Sequence, residues 1–175
     1  MTRNEFIARV KETAYLTGHF VLRSGRTSNY YLDKYRFETQ PDILRYLGAA
    51  FAEYKTPQTT LIAGAELGGV ALAAATSMAT GLPFIIVRNA KKDYGTSKLF
   101  EGVLNKGDQV LIVEDIATTG GQVLEAAQQL TEAGTTVERI VAVIDRLEGA
   151  RENIEEAGFA FDSLLTSDDL GIPRD

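Results

Sequence analysis

Apolar positions along this chain follow two rhythms, and the change comes near Thr60. Before it the spacing is helical. Thr2 and Glu5 form a capping-box pattern, in which each side chain reaches the other residue's backbone N–H, and Phe6, Ile7, Val10 and Ala14 follow on one face. Gly18 is expected to stop that helix, since glycine accepts the left-handed backbone that closes helices. Between Phe20 and Tyr31, turn residues lie among aromatics, which predicts a hairpin or an irregular loop. Pro41 suits the first position of a second helix, whose apolar face would be Ile43, Leu44, Leu47, Phe51 and Tyr54.

After Thr60, short apolar runs alternate with helical stretches. Strands are expected at Leu61–Ala63, Phe84–Val87, Val110–Val113 and Ile140–Ile144, with helices over 70–80, 122–133 and about 149–157. Apolar runs without polar interruption read as strands buried on both faces, and their alternation with helices predicts an α/β parallel sheet with right-handed crossovers. Gly64 to Gly69 form a glycine-bracketed turn, and residues 89–103 are polar and follow no period. No repeat, low-complexity tract or linker interrupts the pattern. The expectation is a single domain over residues 1–175, with a small hood subdomain from about 1–40 and 150–175 and a lid loop at about 89–103.

Composition narrows the chemistry. At 175 residues the chain buries about 70% of its unfolded surface, enough for a core without disulfides or a structural metal. It has no cysteine, which excludes disulfides, thiolate metal sites and a cysteine nucleophile. Lys plus Arg number 18 against 24 acids, a net charge of −6 without a basic tract, so sequence-independent nucleic-acid binding is disfavoured. No apolar stretch approaches the roughly 20 residues needed to span a bilayer, and the N-terminus lacks a signal peptide's apolar core. A cytoplasmic protein with neither nucleic-acid nor membrane partners is expected. A His-based triad or metal site would have to run through the single histidine, His19.

The segment from Val110 to Gln122 is the most specific. An apolar run meets two carboxylates, Glu114 and Asp115, then Ile116, Ala117, Thr118, Thr119, Gly120 and Gly121 ahead of a helix. The carboxyl end of a parallel strand is where such sheets present ligands, and the first N–H groups of the following helix attract a phosphate. Glu114 and Asp115 would repel that anion; they suit sugar hydroxyls or a hydrated divalent cation. The Gly64–Gly69 turn is either a tight strand-to-helix connection or a second N–H cradle. Arg88, Lys91, Lys92 and Lys98 make residues 88–98 the most cationic stretch, either a solvated charge run or a lid over a polyanion. Arg146 could clamp a carboxylate or pair locally, and Tyr30 and Tyr31 could be core or could flank a planar ring.

The segment Val113 to Gly121 resembles the phosphoribosyl-diphosphate signature of type I phosphoribosyltransferases. The pattern from Phe20 to Tyr31, the Arg88-x-x-x-Lys-Asp-x-Gly95 stretch and the Asp145-Arg146 ending make the chain similar to the orotate phosphoribosyltransferases in particular. The resemblance implies a parallel sheet flanked by helices and a hood. It implies transfer of the 5-phosphoribosyl group from phosphoribosyl diphosphate to orotate, giving orotidine 5′-phosphate and pyrophosphate, in de novo pyrimidine (UMP) biosynthesis. Mg²⁺ would ride on the diphosphate, held mainly by substrate and water. By this likeness Ala117 to Gly121 hold the 5′-phosphate, Glu114 and Asp115 the ribose hydroxyls, and Ile116 and Gln122 complete the phosphoribosyl-diphosphate set. Arg88 and Lys92 would stabilise the departing pyrophosphate, and with Asp115 they form the expected catalytic group. Thr118, Arg146, Tyr30, Tyr31 and Arg23 would hold orotate, Arg146 taking its carboxylate. The family expectation is a homodimer whose lid residues are shared across the interface.

Several positions depart from the family pattern. Asn89 stands where many members have lysine, Tyr94 where they have histidine, Arg23 where they have lysine, and Gly68 where some place a lysine against pyrophosphate. Each changes one cation–anion contact, worth about 1.5–3 kcal/mol when charge-assisted. Two other readings compete. One is a phosphoribosyltransferase for a purine or uracil, against which Arg146 argues because an uncharged base offers it no partner. The other is a regulatory protein that senses phosphoribosyl diphosphate, against which the acidic charge argues.

Overall fold

The apolar runs after Thr60 assemble into a six-stranded sheet in the computed structural model, which describes residues 1–21, 25, 27–89 and 99–172. Its strands are β3 (Leu61–Ala65), β4 (Phe84–Val87), β5 (Phe100–Glu101), β6 (Gln109–Ala117), β7 (Thr136–Asp145) and β8 (Phe161–Thr166). The spatial order is β5-β4-β3-β6-β7-β8, parallel except where the short β5 runs antiparallel to β4. From β3 the chain steps outward to β4 on one side and then to β6, β7 and β8 on the other. The strand order therefore reverses between β3 and β6, and the carboxyl ends of these two neighbours flank the crevice that such a reversal opens.

Alternation along the buried strands divides the core between the two faces of the sheet. Leu111, Val113, Val141 and Val143 pack with Phe6, Val10, Phe37, Ile43, Leu47, Phe51 and Leu72 from α1 (Arg3–Ala14), α2 (Lys34–Glu38), α3 (Pro41–Ala52) and α4 (Gly69–Thr80). Val110, Ile112, Ile140 and Ala142 face the other way, onto Val123, Ala127, Leu130 and Ile154 of α5 (Gly121–Glu132) and α6 (Ala150–Glu156). Truncating a fully buried member such as Phe51 or Leu47 would cost about 2–5 kcal/mol.

Ahead of the sheet, β1 (Tyr15–Val21) and β2 (Thr27–Leu32) form the expected hairpin, with β2 running into α2. The capping box is present at Thr2 and Glu5. The first helix, however, ends at Ala14 and not at Gly18, which lies within β1. Asp33 N–H takes the Ala14 carbonyl at 2.9 Å, and the ring of Tyr15 stacks on Tyr30, so the hairpin peels the chain off the helix early. The sequence pattern gave no sign of α2 or β5. Both are too short to display a period, and their neighbours decide them. β8, within the C-terminal stretch expected to join the hood, pairs with β7 as an edge strand. Among the described residues no helix is long and apolar enough to cross a membrane.

Candidate active site

Three strand ends meet at the crevice, tied together by amides. Asn89 N–H donates to Glu66 Oε1 at 2.9 Å, and Asn89 Nδ2 to the Glu66 carbonyl at 3.2 Å. Gln122 Nε2 donates to the same carbonyl at 3.0 Å and to Asn89 Oδ1 at 2.9 Å. The turn after β3, the stretch leaving β4 and the start of α5 are thereby held in register. Asn89 is neutral where a family lysine is common, and its amide suits this junction because it both donates and accepts.

The loop after β6 is shaped for an anion. Gly120 has φ +79°, and a Cβ there would stand 3.0 Å from Ile154, so left-handed backbone and close packing both call for glycine. Asn153 Nδ2 fixes the loop by donating to the Thr119 carbonyl at 2.9 Å. No side chain caps α5. Its first turn opens on a cleft of about 120 Å³ whose lining includes Glu114, Ala117, Thr118, Thr119, Gly121 and Gln122. Uncapped N–H groups at the positive end of a helix favour negative charge at that point.

Glu114, which lines this cleft, and its neighbour Asp115 are both buried. Burial first, and then the Asp115 charge, pushes the Glu114 carboxyl well above the usual carboxylate range. Asp115 Oδ2 lies 2.5 Å from Lys34 Nζ, an ion pair whose acidic side chain is only 3% exposed. Burial works against the Lys34 ammonium, but the hydrogen bond and charge of Asp115 prevail, and its pKa lies above the ordinary lysine value.

On the other side of the loop, Arg146 leaves β7 next to Ala117, whose carbonyl accepts the Arg146 N–H at 2.9 Å. Its Nη2 donates to the Tyr30 hydroxyl at 3.3 Å, and its Nε pairs with Glu148 at 2.9 Å. Tyr30 is half-buried and stacked on Tyr15, with ring centroids 5.6 Å apart. Tyr31, next along β2, is exposed and lies against Phe20. The structure thus brings Tyr30, Arg146 and the phosphate loop together, while Tyr31 belongs to the outer part of the hairpin. Arg88 follows β4 at the far side, its Nη1 3.8 Å from Glu66 and 3.7 Å from Glu101, and its buried Nε has no hydrogen-bond partner among the described residues. Lys92 and Arg23, together with Lys91, Tyr94 and Lys98, lie outside the described residues.

A family model described as "Phosphoribosyl transferase domain" matches residues 38–163. The orotate phosphoribosyltransferase of Natronomonas pharaonis is 45% identical over 175 residues, covering 99% of this chain and 100% of that protein. The chain belongs to the orotate phosphoribosyltransferase family. The crystal structure of Mycobacterium tuberculosis H37Rv orotate phosphoribosyltransferase with Fe(III) dicitrate has a TM-score of 0.88 at 32% identity, covering 97% of this chain and 99% of that one. The same enzyme with 5-phospho-α-D-ribosyl 1-diphosphate gives 0.83 at 31% identity, with the same coverage. The parallel sheet with helices on both faces is the fold of this orotate phosphoribosyltransferase family.

Two residues of the crevice escaped the sequence pattern: Lys34 and Glu38. Lys34 and Glu38 stand four apart, a spacing that reads as a solvated helical pair. Only the packing of α2 against α1 and α3, from which Lys34 reaches Asp115 of β6, turns them inward.

Proposed function

We propose that this chain transfers the 5-phosphoribosyl group of phosphoribosyl diphosphate to orotate, releasing pyrophosphate, in the pyrimidine pathway and in the cytoplasm. The carrying observation is the convergence, at one topological reversal, of an uncapped helix start, a buried acid pair and an arginine held beside Tyr30. Each feature suits one part of the two substrates. N–H groups 118–122 receive the 5′-phosphate, Glu114 and Asp115 the ribose hydroxyls, and Arg146 the orotate carboxylate, with Thr118 and Tyr30 beside the ring. Arg23 completes the base site in this reading, and Tyr31, exposed against Phe20, takes no part in it.

The chemistry needs no protein nucleophile. As orotate bonds to the anomeric carbon, the bond from that carbon to the diphosphate oxygen breaks, and pyrophosphate leaves with the electron pair. Positive charge develops on the ribose and negative charge on the leaving group, so positioning and fixed charges lower the barrier. Arg88 and Lys92 act on the leaving pyrophosphate, with Lys92 contributed by the partner in a homodimer. The buried, unpartnered Nε of Arg88 is donor capacity reserved for such an anion. Mg²⁺ arrives with the diphosphate and supplies charge neutralisation there. Among the described residues no group of three or more His, Cys, Asp or Glu could hold a metal ion.

A substrate panel tests the reading. Purified protein with phosphoribosyl diphosphate and Mg²⁺ should release pyrophosphate with orotate far faster than with uracil, adenine or hypoxanthine. Equal turnover of an uncharged base would remove Arg146 from its role.

A further inference from the structure

We propose that Lys34 is a positioning residue of the ribose site, delivered from α2 to hold the Asp115 carboxylate in the orientation that receives the sugar hydroxyls. The inference rests on the assignment of Asp115 to the ribose, and it adds a residue that neither the signature nor its spacing contains.

Asp115 is fixed from three directions. Its Oδ1 accepts the Ile116 N–H at 2.5 Å, its Oδ2 meets Lys34 Nζ at 2.5 Å, and the same oxygen lies against Gly68. A Cβ on Gly68 would stand 1.5 Å from Oδ2, so only glycine leaves this carboxylate its place. Lys34 is thus the cationic side chain that meets Asp115, opposite the backbone contacts at Ile116 and Gly68.

The surroundings need that ammonium. Glu114 and Glu38 also converge here, and in each of them one buried carboxyl oxygen, Oε2 of Glu114 and Oε1 of Glu38, has no hydrogen-bond partner. Asp115 raises the pKa of both neighbours and Lys34 lowers it, so the ammonium paired with Asp115 offsets part of the charge that Asp115 brings among them. A buried carboxylate stripped of a paired counter-ion takes up a proton or turns toward water. Either outcome removes the acceptor a ribose diol requires. The unpartnered Glu114 oxygen is capacity left for a hydroxyl, in a side chain that lines the phosphate cleft. Lys34 remains one-third exposed, so it can hold Asp115 while the sugar occupies the site.

This arrangement also links hood and sheet. α2 follows directly on β2, which carries Tyr30, so one short segment presents Tyr30 toward Arg146 and Lys34 toward Asp115.

The test compares wild type, Lys34→Met and Lys34→Arg in steady-state kinetics, with thermal melting to establish folding. Lys34→Met should raise KM for phosphoribosyl diphosphate by roughly tenfold or more while kcat and KM for orotate change far less, the mark of lost ground-state binding. Lys34→Arg should recover most of the loss, because charge and reach are kept. Titration with ribose 5-phosphate should show the same order of affinities without any turnover. Should Lys34→Met fail to fold, Lys34→Gln carries the same expectation. A folded Lys34→Met with unchanged KM for phosphoribosyl diphosphate and unchanged ribose 5-phosphate affinity overturns the proposal, as does a fall in kcat alone. Wild-type protein that turned over no orotate would refute the proposed reaction, and the ribose 5-phosphate titration would still decide Lys34.

Discussion

The turn after β3 and the loop after β6 stand side by side at one edge of the sheet, both rich in glycine and both leading into twelve-residue helices. Their glycines do different work. In the turn, a Cβ on Gly64 would lie 2.1 Å from the Gly69 carbonyl oxygen, and one on Gly68 would collide with Asp115. These glycines let protein approach protein. In the loop, Gly120 is also packed, against Ile154, but a Cβ on Gly121 would meet nothing nearer than Thr119 Oγ1 at 3.9 Å, and Gly121 lines the phosphate cleft. The same residue type therefore marks packing in one connection and an open ligand seat in the next. Composition cannot separate the two, since the difference lies in what stands opposite each glycine.

The sharpest way to break this contrast is to add a methyl group to each. Gly64→Ala should destabilise the fold by about 3 kcal/mol or more, because backbone atoms on both sides must shift to admit the Cβ. A melting temperature close to wild type would mean that strand and helix are not in contact there. On the ligand side, Arg146→Ala should lower kcat/KM for orotate by roughly 10- to 100-fold, the worth of a charge-assisted hydrogen bond. A loss confined to phosphoribosyl diphosphate would instead put Arg146 on the wrong substrate.

Glu38 tests the buried acids by their pH dependence. Burial first, and then Asp115, pushes its carboxyl up to about 8 from an ordinary value of 4.5. Between those values the folded protein keeps a proton that the unfolded chain has released, so stability falls as pH rises through this window. Glu38→Gln removes the loss. It should melt near wild type below the window and several degrees higher above it, and parallel melting curves across pH would show that Glu38 is not held protonated. The smallest stability change belongs to Gly121→Ala, within about 0.5 kcal/mol of wild type, with weaker ribose 5-phosphate binding as its measurable effect. A large drop in melting temperature for this variant would erase the distinction between the two turns.

How much of this was legible in the sequence follows the same division. The phosphate loop could be read because its parts are contiguous: an apolar strand, an acid pair, hydroxyls, glycines and a helix appear in chain order. Strands β3, β4, β6 and β7 were legible because burial on both faces leaves uninterrupted apolar runs, although β7 extends beyond the expected Ile140–Ile144 to Thr136–Asp145. Lys34 and Glu38 were not legible as site residues. Their partners lie far along the chain, and a lysine four residues from a glutamate looks like any exposed helical pair. Tyr30 and Tyr31 show the limit within a single dipeptide. Strand alternation turns one toward Arg146 and leaves the other exposed, and nothing in the composition says which.

The claim on which the account rests is that the N–H groups following β6 seat a sugar phosphate while Glu114 and Asp115 hold the sugar's hydroxyls. A crystal structure with ribose 5-phosphate tests it most directly. The phosphate should lie within hydrogen-bonding distance of the backbone between Thr118 and Gln122, with the ribose diol on the two acids and Lys34 still paired to Asp115. A phosphate bound elsewhere, or a sugar turned away from both acids, would contradict it.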